Sequence, residues 1–182
     1  AGTPTSPFLA NVYLSEIDRH FADRGVLYAR YSDDIILFAP DRQTLDSHID
    51  ALSSFLAKYR LKANPDKLRI YSPGEAFDFL GFKCKGRCID IADATRQKMK
   101  DRIRRKARSL QRWHGKNDIA PEKAMKALAR YFNAKFFEAD DDAMLTWSRW
   151  FFPIINQTEG LREIDRYLQQ YLRFVATGRH NK

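Results

Sequence analysis

The chain has 182 residues, and its 44% hydrophobic and 13% aromatic content is enough for one good core or two small ones. The formal net charge of +9 indicates a polyanionic partner, most often nucleic acid, although composition alone does not identify one. No apolar stretch approaches the length of a membrane span and AGTPTSPFLA lacks the features of a signal peptide, so we expect a soluble, cytoplasmic protein with no membrane partner.

The first predicted elements are a helix and a hairpin. TSPFLANVYLSEIDRHFADRG is typical of a helix, because Pro7 suits its first turn and Gly25 can end it in a left-handed cap. VLYARY and IILFA then predict two strands joined tightly through Ser32, with Asp33 and Asp34 at the tip of the hairpin. The apolar spacing of the helix predicts a buried face made of Leu9, Val12, Tyr13, Ile17 and Phe21.

A second helix and a second hairpin follow. Asp41 can cap the helix, over residues 41–60, whose apolar residues recur at helical spacing. NPDK predicts a turn, LRIYS a strand, and the pair FDFLGFKC and RCIDI a hairpin with Gly86 in its turn. Cys84 and Cys88 are expected to be strand or turn thiols, since a CxxxC spacing without further Cys or clustered His is poor evidence for zinc.

The periodicity becomes helical near residue 92. We expect residues 93–178 to be mainly helical and to pack as a unit with few contacts to the sheet. The stretch ATRQKMKDRIRRKARSLQRWHGK is densely basic, which often means no more than a solvated helix surface. AMLTWSRWFFPII is aromatic enough to predict core packing, and the last helix is expected to end at Gly178. The narrow apolar face of the basic helix consists of Met99, Ile103, Ala107 and Leu110.

The adjacent aspartates of YARYSDDIILFA have two interpretations. Asp is common in turns, so Asp33 and Asp34 could simply form a polar hairpin loop. The apolar strands on both sides, however, hold two like charges at one rigid point, and a divalent cation would relieve their repulsion. Mg²⁺ fits best, because it prefers carboxylate oxygens and is commonly shared with substrate phosphates.

This hairpin and its neighbours resemble the reverse transcriptases. YSDD resembles the YxDD motif of that family, and GTPTSPFLANVYLSEID resembles the preceding motif of bacterial enzymes of the group II intron and retron-like kind. LKANPDKLRIY resembles the later lysine-bearing motif, and FDFLGFKC the hairpin that follows it. The resemblance implies an α+β fold: a partial palm over residues 1–91, with an antiparallel sheet and helices, followed by an all-helical, basic, thumb-like domain over residues 92–182.

The resemblance implies a role for each residue of the hairpin tip. Asp33 and Asp34 would hold Mg²⁺ or Mn²⁺ for a two-metal nucleotidyl transfer, in which both the attacking and the leaving oxygen are stabilised. Tyr31 and Ser32 would lie beside the primer terminus. Ser32 stands where Ala, Val or Met is more usual, which leaves nucleotide preference open.

Two further segments gain roles in the same way. The loop with Gly2, Thr3 and Pro4 would contact the template or the incoming dNTP, although a plain helix start also explains its sequence. Lys67 would neutralise the triphosphate or protonate the leaving group, whereas without the resemblance it is a solvated surface lysine.

The basic helix would bind the RNA template and primer or cDNA duplex by charge and shape rather than by base sequence. Its candidate residues are Arg102, Arg105, Lys106 and Arg112.

The family also carries an upstream metal-binding aspartate and fingers, which this sequence lacks. We therefore expect a fragment or split subunit that works with an upstream segment, in the same or another chain, and is inactive alone. The alternatives are a non-catalytic RNA- or DNA-binding module derived from a palm and, less favoured because no cluster of His or additional acids is present to activate water, a metal-dependent nuclease. The sequence does not distinguish whether the parent enzyme serves a mobile intron, a retron, phage defence or another element.

Overall fold

The chain forms an α+β fold that divides into two compact units. The computed structural model describes residues 5–117, 119–138 and 146–179. One unit spans Ala1–Ile70 and the other Tyr71–Lys182. The predicted α+β class is confirmed, since helices accompany two small antiparallel sheets. No helix in the described ranges is long and apolar enough to cross a membrane.

The first unit is built from two helices and one hairpin, in the order that the sequence predicts. Asp41 caps the second helix as predicted, because its carboxylate accepts a hydrogen bond from the backbone N–H of Thr44 at 2.7 Å. The elements are α1 (Ser6–Ala22), β1 (Leu27–Tyr31), β2 (Asp34–Phe38) and α2 (Arg42–Lys58).

The core of the first unit lies where α1 meets the hairpin. Ile17 and Phe21 are fully buried, and the Phe21 ring stacks on Tyr28 of β1 at 4.8 Å between centroids. The prediction that the other apolar residues of this α1 face are buried is wrong. A five-residue strand covers about 17 Å, whereas a helix of 17 residues extends about 26 Å, so the hairpin cannot cover all of α1. The residues left at least half exposed are Leu9, Val12 and Tyr13.

The predicted strand at LRIYS is also wrong. Residues 68–72 adopt no regular structure and pair with no described strand. Leu68 is half exposed, as expected for an extended segment that has no sheet to pack on. β-propensity alone did not produce a strand without a neighbouring ladder.

The second unit begins with a three-stranded sheet and continues with helices. FDFLGFKC is a hairpin of two strands, as its resemblance implied, rather than the single strand that its apolar pattern predicted, because Leu80 and Gly81 form a turn with φ of 50° and 87°. Gly86 lies in the next turn, as predicted, with φ of 58°. Cys84 and Cys88 are free thiols on neighbouring strands. The elements are β3 (Phe77–Phe79), β4 (Phe82–Lys85), β5 (Cys88–Ile91), α3 (Asp93–Lys116), α4 (Pro121–Phe137), α5 (Trp147–Trp150) and α6 (Glu159–Thr177).

The sheet of the second unit shares a core with its helices. Phe82 and Ile91 are buried in the same cluster as Met99, Ile103 and Leu128. The helices of residues 93–178 pack mainly on one another, as expected, and the small sheet covers one of its faces with the same core. The predicted boundary at residues 91 and 92 falls inside this compact unit, and as a division between palm and thumb it stays a prediction.

Candidate functional site

The hairpin tip has a two-residue loop. Tyr31 pairs with Asp34 across the strands, so Ser32 and Asp33 form the turn between them. Ser32 has φ of 58°, and Asp33 has no positive φ, which is the sign pattern of a type II′ turn. Glycine is the usual residue at the first position of that turn, so Ser32 holds a strained backbone there.

Both carboxylates at the tip are accessible. Asp33 and Asp34 are exposed, and neither side chain has a hydrogen-bond or ion-pair partner within the part of the chain that the structure describes. Two adjacent carboxylates fit Mg²⁺ or Mn²⁺ as a partial donor set, because Mg²⁺ keeps several waters and commonly binds through one or two carboxylates plus phosphates. The described residues contain no group of three or more His, Cys, Asp and Glu side chains that could hold a metal ion.

A buried arginine connects the hairpin to α1. The Arg30 side chain is only 5% exposed, and its Nη1 donates both to the carbonyl oxygen of Ser32 at 3.0 Å and to Asn11 Oδ1 at 3.1 Å. Its Nε and Nη2 donate to the two carboxylate oxygens of Asp18, at 2.9 and 2.5 Å. Tyr28 adds a hydrogen bond to Asp18 Oδ1 at 2.9 Å.

These hydrogen bonds shift the pKa of Asp18 and of Tyr28. The hydrogen bonds from Arg30, above all, lower the pKa of Asp18, so its carboxylate stays ionised. Burial first, and then the hydrogen bond to Asp18, raise the pKa of Tyr28. Sequence analysis missed this cluster, although Tyr28 and Arg30 lie two residues apart on one face of a strand, and Asp18 directly follows Ile17 of the predicted buried face.

Two further predicted site residues of the first unit, Tyr31 and Lys67, are exposed. Tyr31 is 53% exposed beside the tip. Lys67 is exposed in a turn, where its backbone N–H donates to the carbonyl of Asn64 at 3.0 Å, and its ammonium has no ion pair with any residue that the structure describes. The loop residues Gly2, Thr3 and Pro4 lie outside the described residues.

The cations of α3 divide into two groups. Arg96 and Lys100 form ion pairs with Glu163 of α6, and Arg104 pairs with Asp101 at 2.8 Å. The four predicted nucleic-acid-binding residues form no ion pair with the rest of the described chain, and at 100° per residue they project within an arc of about 120°. Their side chains are exposed except for the half-buried Lys106, and they are Arg102, Arg105, Lys106 and Arg112.

A groove of about 900 Å³ continues this basic surface onto α4. Lys106 lines it, with its Nζ 4.6 Å from the ring centroid of Tyr131. α4 contributes three more cations that sequence analysis missed, although their i, i+3, i+7 spacing places them on one helix face. These are Lys123, Lys126 and Arg130.

The comparison with protein families finds a similarity in the first part of the chain. Residues 1–84 match the model of the family described as reverse transcriptase (RNA-dependent DNA polymerase). This match covers 84 of the 182 residues and includes α1, the hairpin, α2 and the sheet as far as Cys84. A search of curated proteins finds no match.

The reverse transcriptase match includes every predicted site residue of the hairpin, the N-terminal loop and the turn at Lys67. It stops before α3, so the basic surface is described by its geometry and charge alone.

Proposed function

We propose that this chain is the C-terminal palm and thumb part of an RNA-directed DNA polymerase of the bacterial group II intron or retron-like kind. The observation that carries the proposal is the exposed Asp33–Asp34 pair at the tip of a tight hairpin, inside the segment that matches the reverse transcriptases. A plain polar turn does not require two free carboxylates, whereas a metal-dependent polymerase does.

Asp33 and Asp34 would hold Mg²⁺ or Mn²⁺. The chemistry that such ions supply when bound is stabilisation of the attacking 3′-oxygen and the leaving pyrophosphate oxygen in an in-line displacement. Tyr31, exposed beside Asp34, would contact the primer terminus together with Ser32. Lys67 would neutralise charge on the triphosphate of the incoming dNTP.

The basic surface of α3 would bind the backbone of the RNA template and primer duplex. Support comes from the division of its cations: Arg96, Lys100 and Arg104 are neutralised within the protein, whereas Arg102 and Arg105 are not. The α4 residues Lys123, Lys126 and Arg130 extend the same positive surface. Such contacts supply affinity that depends on salt and little on sequence.

The proposed enzyme requires an upstream segment with fingers and a further metal-binding aspartate, and we expect this chain alone not to polymerise. The rival function is a non-catalytic RNA- or DNA-binding module, for which the basic groove would suffice. The two candidate functions differ in whether activity requires the carboxylates of Asp33 and Asp34.

The test is primer extension on RNA and DNA templates, with the chain alone and with the upstream fingers and palm segment restored. We expect extension only in the restored form, with Mg²⁺ or Mn²⁺ present. Duplex binding without extension in every restored form would support the binding module instead. Hydrolysis of the template without nucleotide addition would favour a nuclease.

A further inference from the structure

The Arg30 side chain connects α1 to the backbone of the catalytic turn. All three of its guanidinium nitrogens donate hydrogen bonds, two to Asp18 and one shared between Asn11 and Ser32. We propose that Arg30 is a positioning residue, which holds the Ser32–Asp34 turn against α1 so that the two carboxylates keep the orientation needed for metal binding. The inference rests on the proposed polymerase function.

The turn needs such a contact because its backbone is strained. Ser32 has φ of 58°, a region that a non-glycine residue occupies only when its surroundings hold it there. The carbonyl of Ser32 itself accepts the bond from Arg30, so the contact acts at the strained residue. Asp33 follows it directly, and a rotation at Ser32 would therefore move the Asp33 carboxylate.

The fork shape of arginine suits this task better than lysine. A guanidinium presents five N–H donors in a fixed plane, so one face can pair with both Asp18 oxygens while the remaining Nη1 reaches Ser32. An ammonium at position 30 could keep the charge pairing with Asp18. It could not reproduce the planar set of contacts that includes the turn.

Asp18 also prevents Arg30 from competing with a metal ion. An unpaired guanidinium beside the tip would attract Asp33 or Asp34 and repel a divalent cation. Asp18 instead binds Arg30 in a bidentate pair, and Arg30 forms no ion pair with either carboxylate of the tip. The cluster thus orients the turn and leaves the two aspartates unneutralised.

A purely structural role for Arg30 predicts a different pattern of effects. A partly buried ion pair that only stabilises the unit would, when broken, loosen α1, the hairpin and α2 together. A positioning residue would loosen the turn first. The exposed pair of Arg42 and Asp46 on α2 provides the control, because it is also an Arg–Asp pair and its hydrogen bonds lie within α2 rather than on the hairpin.

The first experiment measures backbone amide exchange by NMR on the full chain, for the parent and for Arg30→Lys, Arg30→Gln and Arg42→Gln. We expect the Arg30 variants to accelerate exchange at residues 31–35 at least about tenfold while α2 keeps its parental protection, and Arg42→Gln to change neither. The proposal would be overturned if Arg30→Lys kept the parental rate of amide exchange at the turn. It would also be overturned if the exchange rate increased equally throughout α1, the hairpin and α2.

The second experiment measures single-nucleotide addition in the restored polymerase. Arg30→Lys should lower kcat about tenfold or more and raise the Mg²⁺ concentration for half-maximal rate, with the Kd for template-primer unchanged. An unchanged metal requirement and kcat would contradict the positioning role. If the restored parent adds no nucleotide, the proposed function fails, and the exchange experiment still decides whether Arg30 holds the turn.

Discussion

Arg96 of α3 and Glu163 of α6 form an ion pair, with 2.9 Å between Nη1 and Oε2. Lys100, one turn further along α3, pairs with the other oxygen of the same carboxylate. The hydrogen bond from Lys100, followed by the charges of Arg96 and Lys100, lowers the pKa of Glu163. One carboxylate therefore joins α3 and α6, and because its charge takes part in both ion pairs, we expect the stability of their packing to depend on pH.

Glu163→Gln tests that dependence. Because the folded state lowers the pKa of Glu163, the stabilisation is present above its unfolded pKa of about 4 and is lost as pH falls through the folded pKa. We expect the variant to lose roughly 0.5–1 kcal/mol at neutral pH, as for a partly exposed pair, and less at lower pH. Urea unfolding over a pH series measures both values.

Asp165→Asn is the matched control for Glu163→Gln, since Asp165 is exposed on the same helix and forms no ion pair with another described residue. It should change the stability little at any pH. A deficit of Glu163→Gln that grows as the pH is lowered would contradict the role of the ion pairs.

Gly160→Ala should destabilise the second unit. A Cβ at this position of α6 would lie 2.7 Å from Asp90 Oδ1 and 3.1 Å from Arg96 Cδ. Asp90 cannot move freely, because its carboxylate accepts hydrogen bonds from the N–H groups of Gly160 and Ile91. We expect a loss of about 1–3 kcal/mol in the free energy of unfolding, the usual cost of overpacking.

Gly115→Ala is the control for this steric effect. Gly115 also lies in a helix, but a Cβ there would meet nothing within 4 Å. Alanine should be neutral or stabilising by up to about 1 kcal/mol, because it has the higher helix propensity. Chemical unfolding should show a loss of stability in Gly160→Ala and no loss in Gly115→Ala, and equal losses would show that the Asp90 contact is not responsible.

Charge reversal at Arg102, Arg105 and Lys106 should weaken template-primer binding about equally for all sequences. Each lost phosphate contact lowers the logarithmic salt slope by roughly one, so the slope should fall by about three. Fluorescence anisotropy over a salt series on several duplexes measures this change. Weaker binding to only some of the duplex sequences would instead indicate that the surface reads the bases.

The matched control reverses the charge at three exposed arginines of α6, so that the net charge of the same unit changes by the same amount. Their reversal should flatten the salt slope far less, since the proposed surface is on α3 and α4. Equal effects of the two triples would mean that overall charge, rather than a defined surface, governs binding. The three residues are Arg162, Arg166 and Arg173.

Local signals in the sequence predicted much of each unit. The YSDD hairpin, the Asp41 cap and the left-handed end of α6 at Gly178 are specified by neighbouring residues, and all three are confirmed. The Leu80–Gly81 turn was missed because Leu is an unusual residue at positive φ. Gly81 was a local signal for this break, since an isolated glycine inside a strand pattern often marks a turn or bulge.

Contacts between distant segments were harder to predict than local structure. Arg30 and Asp18 are 12 positions apart, and only the packing of β1 on α1 brings them together. The groove likewise depends on Lys106 and Arg130 approaching from two helices. Residue type and spacing indicate which side chains are unusual, but not which of them meet.

Asp33→Asn in the restored enzyme should abolish nucleotide addition and leave duplex binding largely in place. The amide keeps the size of the side chain but removes the charge that would hold Mg²⁺, and metal stabilisation of the transition state is worth several kcal/mol. The rate should therefore fall about a thousandfold or more. Binding should persist, because the cations of α3 and α4 do not depend on the metal. Asp50→Asn, at an exposed carboxylate of α2, should extend primers at the parental rate. Near-parental extension by Asp33→Asn would mean that the aspartate pair is only a polar turn.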